Sequence, residues 1–443
     1  MKPKTFMIIA GEASGDMLAA ELVSALRAKV LEAESAPTND VQPLRTQLAP
    51  KFFGAGGSKM AAAGVELAFD MTKHSVIGIS DVLKNYLKFR RLFNQLLKLA
   101  IERQPDVIIG VDYGGFNLRF GHAIKQYVRK HSGIFQGWNP KIVQFVSPQV
   151  WASRPGRAYQ IARDYDLLLS IFPFEKDWYA RRVPKLRVEF VGHPMVERFQ
   201  KAERGMRDAE QDGQRVLLLP GSRASELRRH LPVMIEAAKL IVSKEQNTLF
   251  SLVLPNEQLV GNLFWEFAKK TNVAFRMAGP PTPSAVESCA SNLGLNLKVQ
   301  IGNLPQALMR DDVAIASTGT VTMECAFFGV PTVTLYKTSL LTYEIAKRIV
   351  TVKSLTMPNL LAGKEVYPEF IQNAATPENI ADAALELLQN ESRRVKIKTQ
   401  LANVVASLGG PGASTRAAGA IVGLLEGRRA ACPTLLAVGE SPV

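Results

Sequence analysis

Short apolar runs recur along the chain, most ending in glycine, serine or proline and most followed by residues at helical spacing. In the first half these runs are Phe6–Ala10, Lys51–Phe53, Asp106–Val111, Lys141–Val146, Leu167–Ile171 and Arg187–Val191. A charged, weakly apolar passage, Gln200–Gln214, interrupts the pattern and reads as a linker. The pattern then restarts with Val216–Leu219, Leu249–Leu254, Lys298–Ile301, Val313–Ala316 and Pro331–Leu335. Helical stretches follow around Pro377–Gln389, Ser392–Ser407 and Ala413–Glu426. Strands separated by helices predict parallel sheets wrapped on both faces.

The expected fold is therefore α/β, with two Rossmann-like doubly wound domains facing across a cleft. The first spans 1–200, with a polar insertion at 33–50. A linker covers 201–214 and the second domain 215–375. Helices over 376–428 either cross back to the first domain or are swapped in a dimer, and 429–443 reads as a loose tail. Ligands in such sheets bind beyond the carboxyl ends of the strands.

Composition narrows this only a little. The 443 residues are 47% hydrophobic and 21% charged, as in a globular protein. The formal charge of +14 suits nucleic acid, an anionic membrane face or phosphorylated ligands, or is simply a solvated basic surface. Cys289, Cys325 and Cys432 lack metal or disulfide spacing. The N-terminal apolar run breaks at Gly11-Glu12, as a strand does and a signal peptide does not. No run of ~18 apolar residues is present. A cytoplasmic protein, or one on the cytosolic face of a membrane, is expected.

Chemistry gathers at the strand ends. In VLLLPGSRASE, Gly221 allows close backbone approach, Ser222 can cap the following helix, and Arg223 can fork two bonds to a phosphate. Ser317-Thr318-Gly319-Thr320 forms a second such corner, with Glu324 placed to accept from a ribose diol; a simple capped helix explains it equally well. The first loop, Gly11–Asp16, is acidic at Glu12 and Asp16, which suits hydroxyl-rich sugars better than a pyrophosphate. Asp112 ends the strand IIGVD beside Gly114-Gly115, where it either takes a proton from a nucleophile or is satisfied by loop amides. His193 is a binding candidate or a structural histidine. Asp164-Tyr165-Asp166 precedes its strand, the wrong end for a sugar-nucleotide metal, so no metal is expected.

The segment VLKNYLKFRRLFNQLLKLAIER carries Leu83, Tyr86, Leu87, Phe89 and Phe93 among basic residues that include Arg90 and Arg91. It matches a helix lying on an anionic membrane, and equally a sheet-covering helix with a solvated basic side.

MIIAGEASGD, VQFVSPQVWASRPGR, DLLLSIFPFEKDWY, LLLPGSRASE, ASTGTVTMECAFFGVPTV and LTMPNLLAGKEVYPEFIQ resemble the lipid-A-disaccharide synthase family, in order, from near residue 6 to near residue 427. The resemblance implies an inverting hexosyltransferase of the GT-B architecture. It would move 2,3-diacylglucosamine from UDP-2,3-diacylglucosamine to 2,3-diacylglucosamine 1-phosphate (lipid X), giving the lipid A disaccharide 1-phosphate and UDP. It further implies no metal or other cofactor, peripheral attachment to the cytosolic face of the inner membrane, and a homodimer in which the final segment can be exchanged. By the same resemblance Arg223 binds the pyrophosphate, and Ser317, Thr318, Gly319, Thr320 and Glu324 serve the uridine side. Asn359 and Gln372 match donor-pocket positions, and Glu12, Ser14 and Asp16 the acceptor side. Some relatives carry an aspartate, their candidate general base, where this chain has Gly115, which leaves Asp112 as the candidate here. A UDP-N-acetylglucosamine 2-epimerase shares the architecture. A nucleic-acid module lacks support, since no zinc finger, aromatic platform or arginine-rich run is present.

Overall fold

The computed structural model describes residues 3–33, 49–72, 79–131, 133, 137–200, 213–271 and 280–427, with side chains omitted for 79–86. The interior of the 33–50 insertion, most of the linker, the tail, and the Leu83 and Tyr86 side chains lie outside the described residues.

The chain divides into two compact units. One runs to Glu197 and resumes at Leu408; the other covers Arg198–Ser407. In the first, β1 (Thr5–Ala10), β2 (Lys51–Gly56), β3 (Glu66–Asp70), β4 (Val107–Val111), β5 (Lys141–Phe145), β6 (Leu167–Ser170) and β7 (Val188–Phe190) form one sheet ordered β3-β2-β1-β4-β5-β6-β7. In the second, β8 (Arg215–Leu219), β9 (Leu249–Leu254), β10 (Asn296–Ile301), β11 (Val313–Ser317), β12 (Thr332–Tyr336) and β13 (Glu369–Ile371) are ordered β10-β9-β8-β11-β12-β13. Every pairing between them is parallel.

The central strands β4, β8 and β11 are buried along their whole length. This is the burial that helices on both faces impose, and it explains the unbroken apolar runs. The edge strands β3 and β13 were not foreseen. The first is acidic at both ends and the second has three residues, so neither leaves an apolar signature.

Helices Pro377–Gln389 and Glu391–Ser407 stay with the second unit. Helix Ala413–Leu425 returns to the first, where it packs along helix Ala13–Ala33. Arg416 fixes that return by donating to the carbonyls of Val191 and, nearer by, Gly410 and Pro411.

Candidate functional site

In both sheets the strand order reverses once: between β1 and β4 in the first unit, and between β8 and β11 in the second. Crevices at such reversals are where doubly wound sheets bind ligands. The loops after these four strands are those carrying Gly11–Asp16, Asp112, Pro220–Arg223 and Ser317–Thr320.

In the first unit Asp112 follows β4 with φ 50°, and Tyr113 follows with φ 45°, a left-handed pair that needs external support. The support is explicit. The Asp112 amide donates to the Phe145 carbonyl at 2.8 Å, and its carbonyl accepts from Asn117 Nδ2 and Gln144 Nε2, each at 2.8 Å. Burial raises the Asp112 carboxyl above the ordinary aspartate range, opposed only in part by the Tyr113 amide, which donates to it. The first loop closes against this point. Gly11 has no side chain because the Tyr113 ring occupies the place of a Cβ, and Gly15 approaches the Asp112 side chain. Glu12 is near enough to raise the Tyr113 phenol, although burial is the larger cause.

Beside Asp112 lies a cavity of about 280 Å³, lined by Gly115, Val146, Ser147, Arg154 and Arg157 among others. Val146 has φ 67°, a costly conformation for a β-branched residue. Two strained residues therefore face one pocket, the pattern of a site shaped by the fold around it.

The second unit presents two helix N-termini. Gly221 sits at φ 124° after Pro220, and a side chain there would meet Glu226 Oε2 at 2.5 Å. The cap of helix Ala224–Lys244 differs from the expectation. Arg223, not Ser222, is the N-cap residue, and Glu226 folds back so that its Oε2 accepts from the amides of Ser222 (2.8 Å) and Arg223 (3.2 Å). The Arg223 guanidinium is two-thirds exposed and 3.4 Å from Glu226 Oε1. At the other corner, Gly319 with φ 149° caps helix Thr320–Phe327, and among the described residues no side-chain cap bond is made there. Ser317 is buried, Thr318 half-buried, and Gly319 and Thr320 exposed. Burial raises the carboxyl of Glu324, while the charge of Arg198 lowers it.

Other expected residues have different work. Asp16 is buried, and its carboxylate accepts from the amides of Gly57 (2.7 Å), Lys59 (3.0 Å) and Met60 (3.1 Å), tying the first loop to helix Ser58–Ala62. Of the loop's candidate residues, that leaves half-buried Glu12 and exposed Ser14 open to solvent. The Asn359 amide is saturated within the chain: its nitrogen donates to Tyr367 O and Glu369 Oε1, and its oxygen accepts from the amides of Val366 and Tyr367. Gln372 is held likewise, bonded in both directions to the backbone of Thr338. Both brace the surrounding backbone through these bonds. His193 Nδ1 accepts from the Met195 amide, a structural capping contact. Asp164 is paired with Arg163, Arg129 and His122, and Asp166 with Lys125 and Lys141.

The basic segment forms helix Ile79–Arg103. Phe93 is half-buried at the packed edge of this helix. Its ring packs edge-on to Phe116 and Phe120, because residues 93, 96 and 100 share a stripe whose Leu96 and Ala100 are buried. Leu87 is 77% exposed on the other side, with Arg90 and Arg91 also exposed and Phe89 half-buried.

Three positioning residues escaped the sequence reading. Asn117 and Gln144 orient Asp112, and Gln144, a buried polar residue between the apolar Val143 and Phe145 of β5, was the available signal. Buried His230 accepts from the Lys337 amide at 3.1 Å through Nε2 and donates to the Pro220 carbonyl at 2.9 Å through Nδ1, fixing the Gly221 corner. Burial lowers its pKa, consistent with a neutral ring. Its position mid-helix gave no cue.

Comparison with known proteins adds a lineage. A family model described as lipid-A-disaccharide synthetase matches residues 6–421. The chain is 35% identical over 431 residues to a lipid-A-disaccharide synthase of Trichlorobacter lovleyi, covering 96% of this chain and 98% of that one. It is 34% identical over 429 residues to that of Myxococcus xanthus, at the same coverage. Among solved structures, it is similar to a putative UDP-N-acetylglucosamine 2-epimerase from Listeria monocytogenes, with TM-score 0.56, 14% identity, and coverage of 98% of this chain and 100% of that one. The calicheamicin glycosyltransferase CalG4 gives 0.52 and 13%, with coverage of 96% and 99%. These structural likenesses speak to the fold alone.

Proposed function

The chain belongs to the lipid-A-disaccharide synthase family and is a hexosyltransferase; from that premise we propose that it transfers 2,3-diacylglucosamine from UDP-2,3-diacylglucosamine to 2,3-diacylglucosamine 1-phosphate. The observation that carries the residue roles is the sorting of chemistry by unit. A burial-raised carboxyl stands at the reversal point of one sheet, and two amide-rich corners, one with an arginine, stand at that of the other.

Asp112 takes the proton from the acceptor's 6-hydroxyl as that oxygen attacks the anomeric carbon from the face opposite UDP. A carboxyl raised toward neutrality is a better proton acceptor for an alcohol than an ordinary aspartate. As the glycosidic bond to UDP breaks, negative charge grows on the diphosphate. Arg223 and the amides at the Ser222 and Gly319 corners stabilise that charge, more strongly in the transition state than in the bound donor. Glu324 accepts from the ribose hydroxyls, with Ser317, Thr318 and Thr320 around the nucleotide. Asn359 and Gln372 brace the surrounding backbone.

Among the described residues no helix is long and apolar enough to cross a membrane. We place the protein peripherally on the cytosolic face of the inner membrane. Exposed Leu87 with Arg90 and Arg91 supports contact with an anionic lipid surface, from which both acylated substrates arrive.

The test is to incubate the purified protein with both lipids in detergent micelles and weigh the product. A disaccharide 1-phosphate and stoichiometric UDP are expected. Free sugar released from UDP-N-acetylglucosamine alone, with no disaccharide, would instead establish an epimerase.

A further inference from the structure

The cavity after β4 and β5 has two chemically unlike sets of groups on its wall. One is the Asp112 carboxyl; the other is the Arg154 and Arg157 pair. Arg157 is held below the ordinary arginine range by burial first and then by repulsion from Arg154 and Arg119. Other arginines of this unit have acidic partners: Arg103 with Glu66, Arg163 with Asp164, Arg187 with Glu189. Among the described residues, Arg119, Arg154 and Arg157 show no side-chain hydrogen bond or ion pair. Asp112 does not serve them, for its own perturbation comes from burial and the Tyr113 amide, with no arginine contributing.

Like charges gathered on one wall, without an acid among them, become favourable only when an anion completes the arrangement. Arginine presents the fork geometry that a phosphate monoester matches. The segment bearing the pair is also anchored. Trp151, buried in the short helix Val150–Ser153, donates from Nε1 to Glu175 at 2.9 Å, which fixes the chain leading to Arg154.

We propose that Arg154 and Arg157 bind the anomeric phosphate of the acceptor, so that this monoester is what the cavity selects. The inference rests on the acceptor assignment made above and deepens it. It names the feature of the acceptor that is recognised and orients the sugar, phosphate toward the arginines and 6-hydroxyl toward Asp112.

The test compares kcat/KM for 2,3-diacylglucosamine 1-phosphate with that for the same lipid bearing a free anomeric hydroxyl, in neutral detergent micelles. Two charge-assisted contacts lead us to expect a preference of about 10²-fold for the phosphate in the native protein. In the Arg154→Gln/Arg157→Gln double variant, with UDP affinity as the check on folding, the preference should fall below about 5-fold. A preference undiminished in that variant overturns the proposal. No disaccharide from either acceptor with the native protein overturns the glycosyltransferase reading instead. A second measurement needs no variant. Glucosamine 1-phosphate should compete with the acceptor at a concentration at least about tenfold lower than glucosamine or inorganic phosphate. Equal inhibition by glucosamine excludes phosphate recognition, and equal inhibition by inorganic phosphate reveals a general anion site, so either overturns the assignment.

Discussion

The carboxylate of Glu226 lies 2.8 Å from the amide nitrogen of Ser222 and accepts its hydrogen bond, at the corner proposed for the donor diphosphate. The chain thus caps these amides itself, and under the proposed function a donor diphosphate displaces this carboxylate to reach them. Glu226→Gln keeps the shape and removes the charge. UDP should then bind about 5- to 10-fold more tightly by calorimetry. The weakened cap should lower stability by about 1 kcal/mol. Weaker UDP binding in this variant would show that Glu226 assists the donor.

Asp112 governs the acid limb of the pH profile if it is the base. Its burial-raised pKa places that limb above the ordinary aspartate range, with kcat/KM rising as the carboxyl loses its proton. Asp112→Asn should lower kcat by about 10²- to 10⁴-fold and abolish the limb. Gly115 offers the complementary variant, since a side chain there would meet nothing within 4 Å. Gly115→Asp should fold normally in the first turn of its helix and restore part of the turnover to Asp112→Asn. A full-rate Asp112→Asn enzyme would remove Asp112 from the mechanism.

Glu175 makes stability depend on pH. It is fully buried, with Trp151 and Ser170 donating to it, and burial lifts its pKa to about 7. The folded chain therefore holds a proton that the unfolded chain releases at ordinary carboxyl pH. Stability should fall as pH rises from about 4.5 to about 7, by on the order of 3 kcal/mol from this group. Glu175→Gln should flatten that part of the curve in denaturant titrations. An unchanged slope would show that Glu175 is ionised in the fold.

The alternation of strands and helices was legible because central parallel strands are buried on both faces and so largely apolar, as β4, β8 and β11 are. The four strand-end corners were legible for a related reason: clusters of glycine, serine and charge follow the apolar runs where the chain leaves the sheet. Partnership was not legible. Asp16 and Asn359 resemble ligand-binding residues in the sequence, yet backbone amides tens of residues from Asp16 and a few residues from Asn359 take up their oxygens. A wide apolar stripe does not say which edge a neighbouring helix covers, as helix Gly114–His131 covers Phe93 through Phe116 and Phe120. Gln144 and His230 act on backbone carbonyls of other elements, a relationship that only tertiary structure supplies.

The most direct test of the central claim is turnover of Arg223→Ala alongside the native protein in excess chelator. With a two-thirds exposed guanidinium, the substitution should leave the melting temperature in place. It should lower kcat/KM for disaccharide formation by about 10²- to 10³-fold, while the chelated native protein keeps its rate. Native-like turnover in Arg223→Ala, or loss of activity with chelator, would contradict a diphosphate stabilised by this arginine and the helix amides.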